Sequence, residues 1–115
     1  MPAFAFVVPV VPGKEAADRA LLQEMAGSRR EEYVRSRQRA GVRREVVWQQ
    51  ATPQGTVDIV YMEVDDPQQM FSGLGSSDDP FDQWFREVCR EVHGIDLSQP
   101  LPGGLPQMVF DGPLP

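Results

Sequence analysis

Ser76–Gly94 reads SSDDPFDQWFREVCREVHG, and a helix is written into it from start to stop. Asp79 is placed to accept from the first free backbone N–H groups, and Pro80 suits the first helical position, where a missing N–H costs nothing. Phe81, Trp84, Phe85, Val88, Cys89 and Val92 recur at helical spacing and make one apolar stripe. Gly94 follows as a residue able to take the left-handed conformation that ends helices. The stripe needs a surface to cover, and the segments upstream supply it.

Ala3–Val11, AFAFVVPVV, is almost wholly apolar and reads as a central strand buried on both faces, with Pro9 deleting one ladder donor. Pro12-Gly13 ends it. Lys14–Ala40 reads as one long helix, apolar along Ala17, Leu21, Leu22 and Met25, and stopped at Gly41. Continuing that stripe brings Arg29, Tyr33, Ser36 and Ala40 to the same side.

Val42–Ala51 and Thr56–Val64 read as a hairpin. Pro53 cannot take positive φ, which excludes a type I′ turn. A type I turn over Pro53-Gln54 with Gly55 as a bulge pairs Thr52 with Thr56. In that register Val46, Trp48, Val60, Met62 and Val64 face the helices. Glu45, Val47, Gln49, Val57, Ile59, Tyr61 and Glu63 share the other face, with Glu45 opposite Glu63. This mixed face suits a cleft or a subunit interface.

Asp65-Asp66-Pro67 starts a short helix running to about Phe71, and Ser72–Asp78 reads as a loop. After Gly94, residues 95–107 form a Pro- and Gly-rich connector, and Gln107–Asp111, QMVFD, reads as a last strand. The order is βαββαβ in a single domain spanning 1–115.

Composition narrows the function classes. The net charge of −6 argues against general nucleic-acid affinity. Residues 1–50 carry nine basic and six acidic side chains, residues 51–115 two and eleven. The charge asymmetry would orient subunits or steer a charged ligand. The N-terminal apolar run lacks a basic region and contains prolines, unlike a signal peptide. No apolar run spans a membrane, so a cytoplasmic protein is expected. A lone cysteine excludes an internal disulfide and a cysteine metal cluster. Asp65, Asp66, Asp78, Asp79 and Asp82 all sit at helix starts, where carboxylates cap N–H groups. No calcium-loop spacing occurs, and no metal or cofactor is expected.

Four stretches carry a resemblance: Pro12–Lys14 after the first strand, RREEYVRSRQRAGV at 29–42, IVYMEVDDP at 59–67 and SSDDPFDQWF at 76–85. Together they resemble the dimeric α/β-barrel proteins of the ferredoxin-like fold, most closely a small bacterial family of unassigned activity within that group. The resemblance implies an α+β domain with a four-stranded antiparallel sheet and helices on one face. It also implies a second subunit over the other face and a ligand cavity between helix and sheet. The wider group includes heme-degrading enzymes, cofactor-free monooxygenases, isomerases of the muconolactone type and stress-response proteins. Its monooxygenases use a cavity asparagine, and this chain has no asparagine. Its heme-binding members use a histidine of the later helical region. The sole histidine here, His93, falls at a helix end, where a solvated cap is expected. No catalytic residue transfers.

Two readings attach to each remaining cluster. The arginines between Arg29 and Arg44 form either an anion patch or a solvated helix face with Glu31–Arg35 pairs. Arg29, beside Tyr33, is the one expected to reach the cleft and hold a carboxylate. Glu45, Tyr61 and Glu63 form either an acid–base group or a polar dimer interface. Cys89 reads as a buried, inert thiol. The expected function is a homodimer binding a small molecule in a cleft bounded by Arg29, Tyr33, Glu45, Tyr61 and Glu63. A cofactor-independent oxygenase or isomerase and a ligand-free structural dimer are the alternatives.

Overall fold

The computed structural model describes residues 2–101 and 103–115; Pro102, within the expected connector, lies outside them. The fold is α+β. A three-stranded antiparallel sheet of β1 (Ala3–Pro9), β2 (Val42–Thr52) and β3 (Gly55–Val64) has the order β1-β3-β2. Four helices, α1 (Glu15–Ala26), α2 (Arg30–Arg39), α3 (Pro67–Ser76) and α4 (Pro80–His93), cover one face of it. This arrangement is compatible with a ferredoxin-like fold. Among the described residues no helix is long and apolar enough to cross a membrane.

Helix α4 begins and ends where its sequence places it. Asp79 accepts from the Phe81 N–H at 2.9 Å, Pro80 is the first helical residue, and Gly94 takes φ 67°. Helix α3 starts as expected, with Asp66 accepting from Gln68 and Gln69. It runs five residues past Phe71 because Arg86 of α4 donates to the carbonyls of Leu74 and Ser77 at 2.6 and 2.7 Å. Those bonds satisfy carbonyls that a helix end leaves free.

Three expectations are corrected. The long helix is two helices, broken over Gly27–Arg29. Gly27 and Ser28 are poor helix formers, and Arg29 N–H returns to the Glu24 carbonyl instead of continuing the ladder. Strand β1 is an edge strand, not a central one. Phe4, Phe6 and Val8 face the helices, whereas Val7 is 58% exposed on the opposite face. Finally, Gln107–Asp111 forms no strand. Pro106 and Pro113 bracket it without N–H donors, and Met108, Val109 and Phe110 stand exposed.

The hairpin register differs by one residue. Thr52 pairs with Gly55 across a two-residue turn, so Trp48 lies opposite Ile59 and Glu45 opposite Met62. Because side chains alternate with period two, this shift turns β2 over. Glu45, Val47 and Gln49 now point at the helices beside Asp58, Val60 and Met62. Val46 and Trp48 join Ile59, Tyr61 and Glu63 on the outer face. Strand β3 keeps the expected sides.

The inner face is filled by Val42, Val60, Met62 and Val64 against Met70 and Leu74 of α3, with Phe4, Phe6 and Phe71 packed alongside. A second cluster joins Leu21 and Met25 of α1 to Phe81 of α4. After α4, the chain at 95–101 passes back over α3. A Cβ on Gly75 would lie 2.5 Å from the Leu97 carbonyl oxygen, so the two backbones meet there without room for a side chain.

Asp82, buried at the start of α4, ties the helices together. Ser36 of α2 and Ser77 both donate to its carboxylate, and Arg39 Nη2 lies 3.1 Å away. Burial alone would raise this carboxyl. The two hydroxyl donors and the Arg39 guanidinium outweigh it and hold the group below its ordinary value of 3.8. The folded value being depressed, its stabilisation is fully present above the unfolded value and is lost as pH falls through the folded one. Asp82→Asn is therefore expected to lower the urea midpoint most near neutral pH. The gap to the wild type should close progressively below about pH 4, as denaturation series at stepped pH would show.

Candidate functional site

A cavity of about 90 Å³ lies between the sheet and helices α1, α3 and α4, partly roofed by Ile95, Leu97 and Leu101. Its walls are apolar, with Leu21, Val60, Met62, Met70 and Phe85 among them. It has room for several waters or for a small organic molecule. Charged groups meet it at two places.

The first is built on α2 and β2. Arg37 is 4% exposed, and its Nε donates to Glu45 Oε1 at 2.8 Å. Tyr33 donates its hydroxyl to the same oxygen at 2.9 Å. The guanidinium lies 4.4 Å from the Phe85 ring centre and 5.0 Å from that of Tyr33, and it donates to Ser36. Its Nη2 is buried and has no partner. Burial alone would lower the Arg37 pKa; the Glu45 charge and hydrogen bond reverse that and keep it cationic. Burial, then the Glu45 charge, pushes the Tyr33 phenol up. Arg37 thus departs from the solvated helix face expected of this basic stretch. The expected Glu31–Arg35 pair is present, at 4.0 Å on the surface.

The second place joins α1, β3 and α4. Asp18 is fully buried and Asp58 nearly so, and each has a carboxylate oxygen, Oδ1, without a hydrogen-bond partner. His93 Nε2 stands 3.6 Å from both carboxylates. The His93 side chain is 10% exposed, so it is no solvated cap. The Val11 N–H bonds the Val92 carbonyl at 2.8 Å, docking the end of β1 on the end of α4. That contact brings the Pro9 carbonyl within 2.7 Å of His93 Nδ1. A carbonyl only accepts, so Nδ1 donates to it and Nε2 is the ring atom left toward the two carboxylates. Gln49 donates to Asp18 Oδ2 at 3.0 Å, and its own amide oxygen is held by Arg19. Burial, then a hydrogen bond to Asp18 and the charge of Asp18, pushes the Asp58 carboxyl up to about 8, so that the two acids share a proton near neutral pH.

The five residues expected to line a cleft part company. Glu45 lines the cavity and Tyr33 reaches it through Glu45. Arg29 lies instead over Trp84, 4.0 Å from the ring centre, between Glu24 and Glu32. Tyr61 and Glu63 bond each other at 2.7 Å on the outer face, away from Glu45. Cys89 lines the cavity as an inert thiol, its pKa pushed up to about 12 chiefly by burial.

Asp18, Asp58 and Gln49 were missed, although the pattern holds a signal for them. Asp58 falls in phase with Val60, Met62 and Val64, and Asp18 lies three, four and seven residues before Leu21, Leu22 and Met25. A carboxylate in phase with a core face asks for a partner. Compared with known protein families, curated proteins and solved structures, the chain matches none.

Cutting one partner from the Arg37–Glu45 pair leaves a buried charge alone. Arg37→Met is expected to cost about 3–5 kcal/mol. The double variant Arg37→Met/Glu45→Leu should recover much of that loss, as urea unfolding of the single and double variants would reveal. Equal losses in the two would refute the pairing.

Proposed function

We propose that this protein is a homodimer of the dimeric α/β-barrel type that binds a small, mainly apolar molecule in the cavity beneath its helices. One observation carries the ligand reading: an apolar cavity bordered by buried polar groups whose hydrogen bonds are unmade. Apart from a proton the two acids share, Asp18 Oδ1 and Asp58 Oδ1 have no partner, and Arg37 Nη2 lacks an acceptor. Unmade bonds of this kind cost free energy that a bound molecule would recover. The complementary ligand has a donor, such as an amine or hydroxyl, at one end and an acceptor, such as a carbonyl or carboxylate, at the other.

The ligand reading is tested by thermal unfolding against a panel of C4–C7 amines, alcohols, amides and amino acids. At a hundredfold excess over Kd a true ligand stabilises by about 2.7 kcal/mol, a rise of several degrees in Tm. Cys89→Met, which fills the cavity, should abolish the rise relative to its own baseline. A panel that leaves the wild type unmoved overturns the reading. Consumption of a member in its presence would favour the oxygenase or isomerase alternative.

The outer sheet face supports the dimer. Val7, Ile59 and Trp48 form a row across the three strands, with Ala5, Tyr61 and Val46 as the next row. Trp48 is 54% exposed, and no helix lies over it. A second copy presents the same apolar rows under two-fold symmetry, and Arg44 and Glu63, paired across strands at one end, add opposite charges. Sedimentation at micromolar concentration is expected to give a dimer. Trp48→Lys should give a monomer with unchanged far-ultraviolet circular dichroism. A wild-type monomer refutes the interface.

A further inference from the structure

We infer that Asp18, Asp58 and His93 form a binding site for one first-row divalent transition-metal ion, of which zinc and manganese are the representative cases. One ligating atom from each residue lies within 4.8 Å of the others. The Nε2–carboxylate distances of 3.6 Å are near the ligand–ligand edges of a tetrahedral site, about 3.4 Å for bonds of 2.0–2.2 Å. Proximity alone would carry little. Two independent features point to an ion.

The first is the unpartnered carboxylate oxygen. Asp18 is wholly buried, its Oδ2 is held by Gln49, and its Oδ1 is turned to His93 with no hydrogen bond at all. Asp58, 2% exposed, places its Oδ2 3.6 Å from His93 Nε2, and its Oδ1 is buried without a partner. Among the described residues no arginine or lysine pairs with either carboxylate. Two buried acids crowded against one imidazole, with no other cation beside them, form a set of donor atoms that a dication would satisfy.

The second is the orientation of the histidine. Its Nδ1–H is engaged by the Pro9 carbonyl, which leaves Nε2, 3.6 Å from an oxygen of each carboxylate, as the atom available to an ion. Metal-bound histidines have this outer hydrogen bond, which fixes ring and tautomer. Gln49 does the same for Asp18, and Arg19 fixes the Gln49 amide. Gln49 is a positioning residue, not a ligand.

Ligand number and type select the metal class. Calcium takes six to eight oxygens, and magnesium keeps a near-octahedral shell of oxygens and waters. One imidazole and two carboxylates in a largely apolar enclosure suit zinc, manganese or ferrous iron. All three residues also line the cavity, so a coordination position left open would face the space the proposed ligand occupies. The inference therefore deepens the cavity reading and rests on it only for that open position.

The full chain, stripped with a chelator, is tested with zinc, manganese and magnesium chlorides alone by equilibrium dialysis with elemental analysis. One equivalent of zinc or manganese per chain is expected, with no stoichiometric magnesium. Cobalt substitution should give the intense visible absorption of a four- or five-coordinate site. Asp58→Asn, a neutral isostere, should abolish binding while keeping the fold. Gln49→Leu should weaken binding about tenfold and shift the cobalt spectrum. No stoichiometric metal, equal magnesium binding, or binding indifferent to Asp58→Asn overturns the site. Metal binding without any hit from the organic panel sinks the ligand reading alone, and the reverse sinks only the metal.

Discussion

A guanidinium buried between helices α2 and α4 and the sheet organises this fold. Arg37 has to find its counter-charge, its hydrogen bonds and its aromatic contacts inside the protein. It finds them in Glu45, Ser36, Phe85 and Tyr33, contributed by β2, α2 and α4. Because Ser36 in turn donates to Asp82, the chain of contacts runs from the sheet through α2 to the start of α4. The break at Gly27–Arg29 frees α2 to adopt the direction this requires. Isolated charges are seldom left inside a protein, so the arrangement holds as a set. A hydrophobic core with the same elements would leave α2 free to slide; the directional bonds of Arg37 oppose that sliding.

How much of this was legible depended on whether the cause was local. The ends of α4 and the start of α3 rest on Asp-Pro caps and a glycine, all within a few residues, and they stand where the sequence puts them. The two faces of β3 follow from simple alternation. Strand β2 depended on one residue of turn length. Its alternation of Glu45, Val47 and Gln49 with Val46 and Trp48 is ambiguous, since each face offers both polar and apolar side chains. The polar face is the buried one, because Arg37 needs Glu45 and Asp18 needs Gln49. Those partners are 8 and 31 residues away in sequence, beyond any local pattern.

The same limit explains the site. Tyr33 and Glu45 both carry chemistry and do meet, but the one-residue register change takes Glu45 to the inner face and leaves Tyr61 and Glu63 on the outer one. Arg29 falls in the break between α1 and α2, which sets it over Trp84 instead of over the sheet. His93 looked like a cap because helix ends are usually wet. It is enclosed because β1 returns across the end of α4, a contact between residues 84 apart. The last strand expected at Gln107–Asp111 shows the opposite failure: a sound local pattern without a bonded neighbour.

The close approach of Gly75 to Leu97 bears on how quickly the interior exchanges its contents. The segment carrying Leu97 and Leu101 is held over the cavity by a backbone touching a backbone, with no side-chain gate to swing aside. Widening the mouth beyond what this partial roof leaves open would require the strip to peel away from α3 as a unit, a local opening less costly than unfolding the sheet. The adhesion of that strip would add a barrier to release on top of whatever bonds the enclosed molecule makes. A side chain at position 75 would hold the strip ajar, turning a slow compartment into a fast one without altering a single group that lines it.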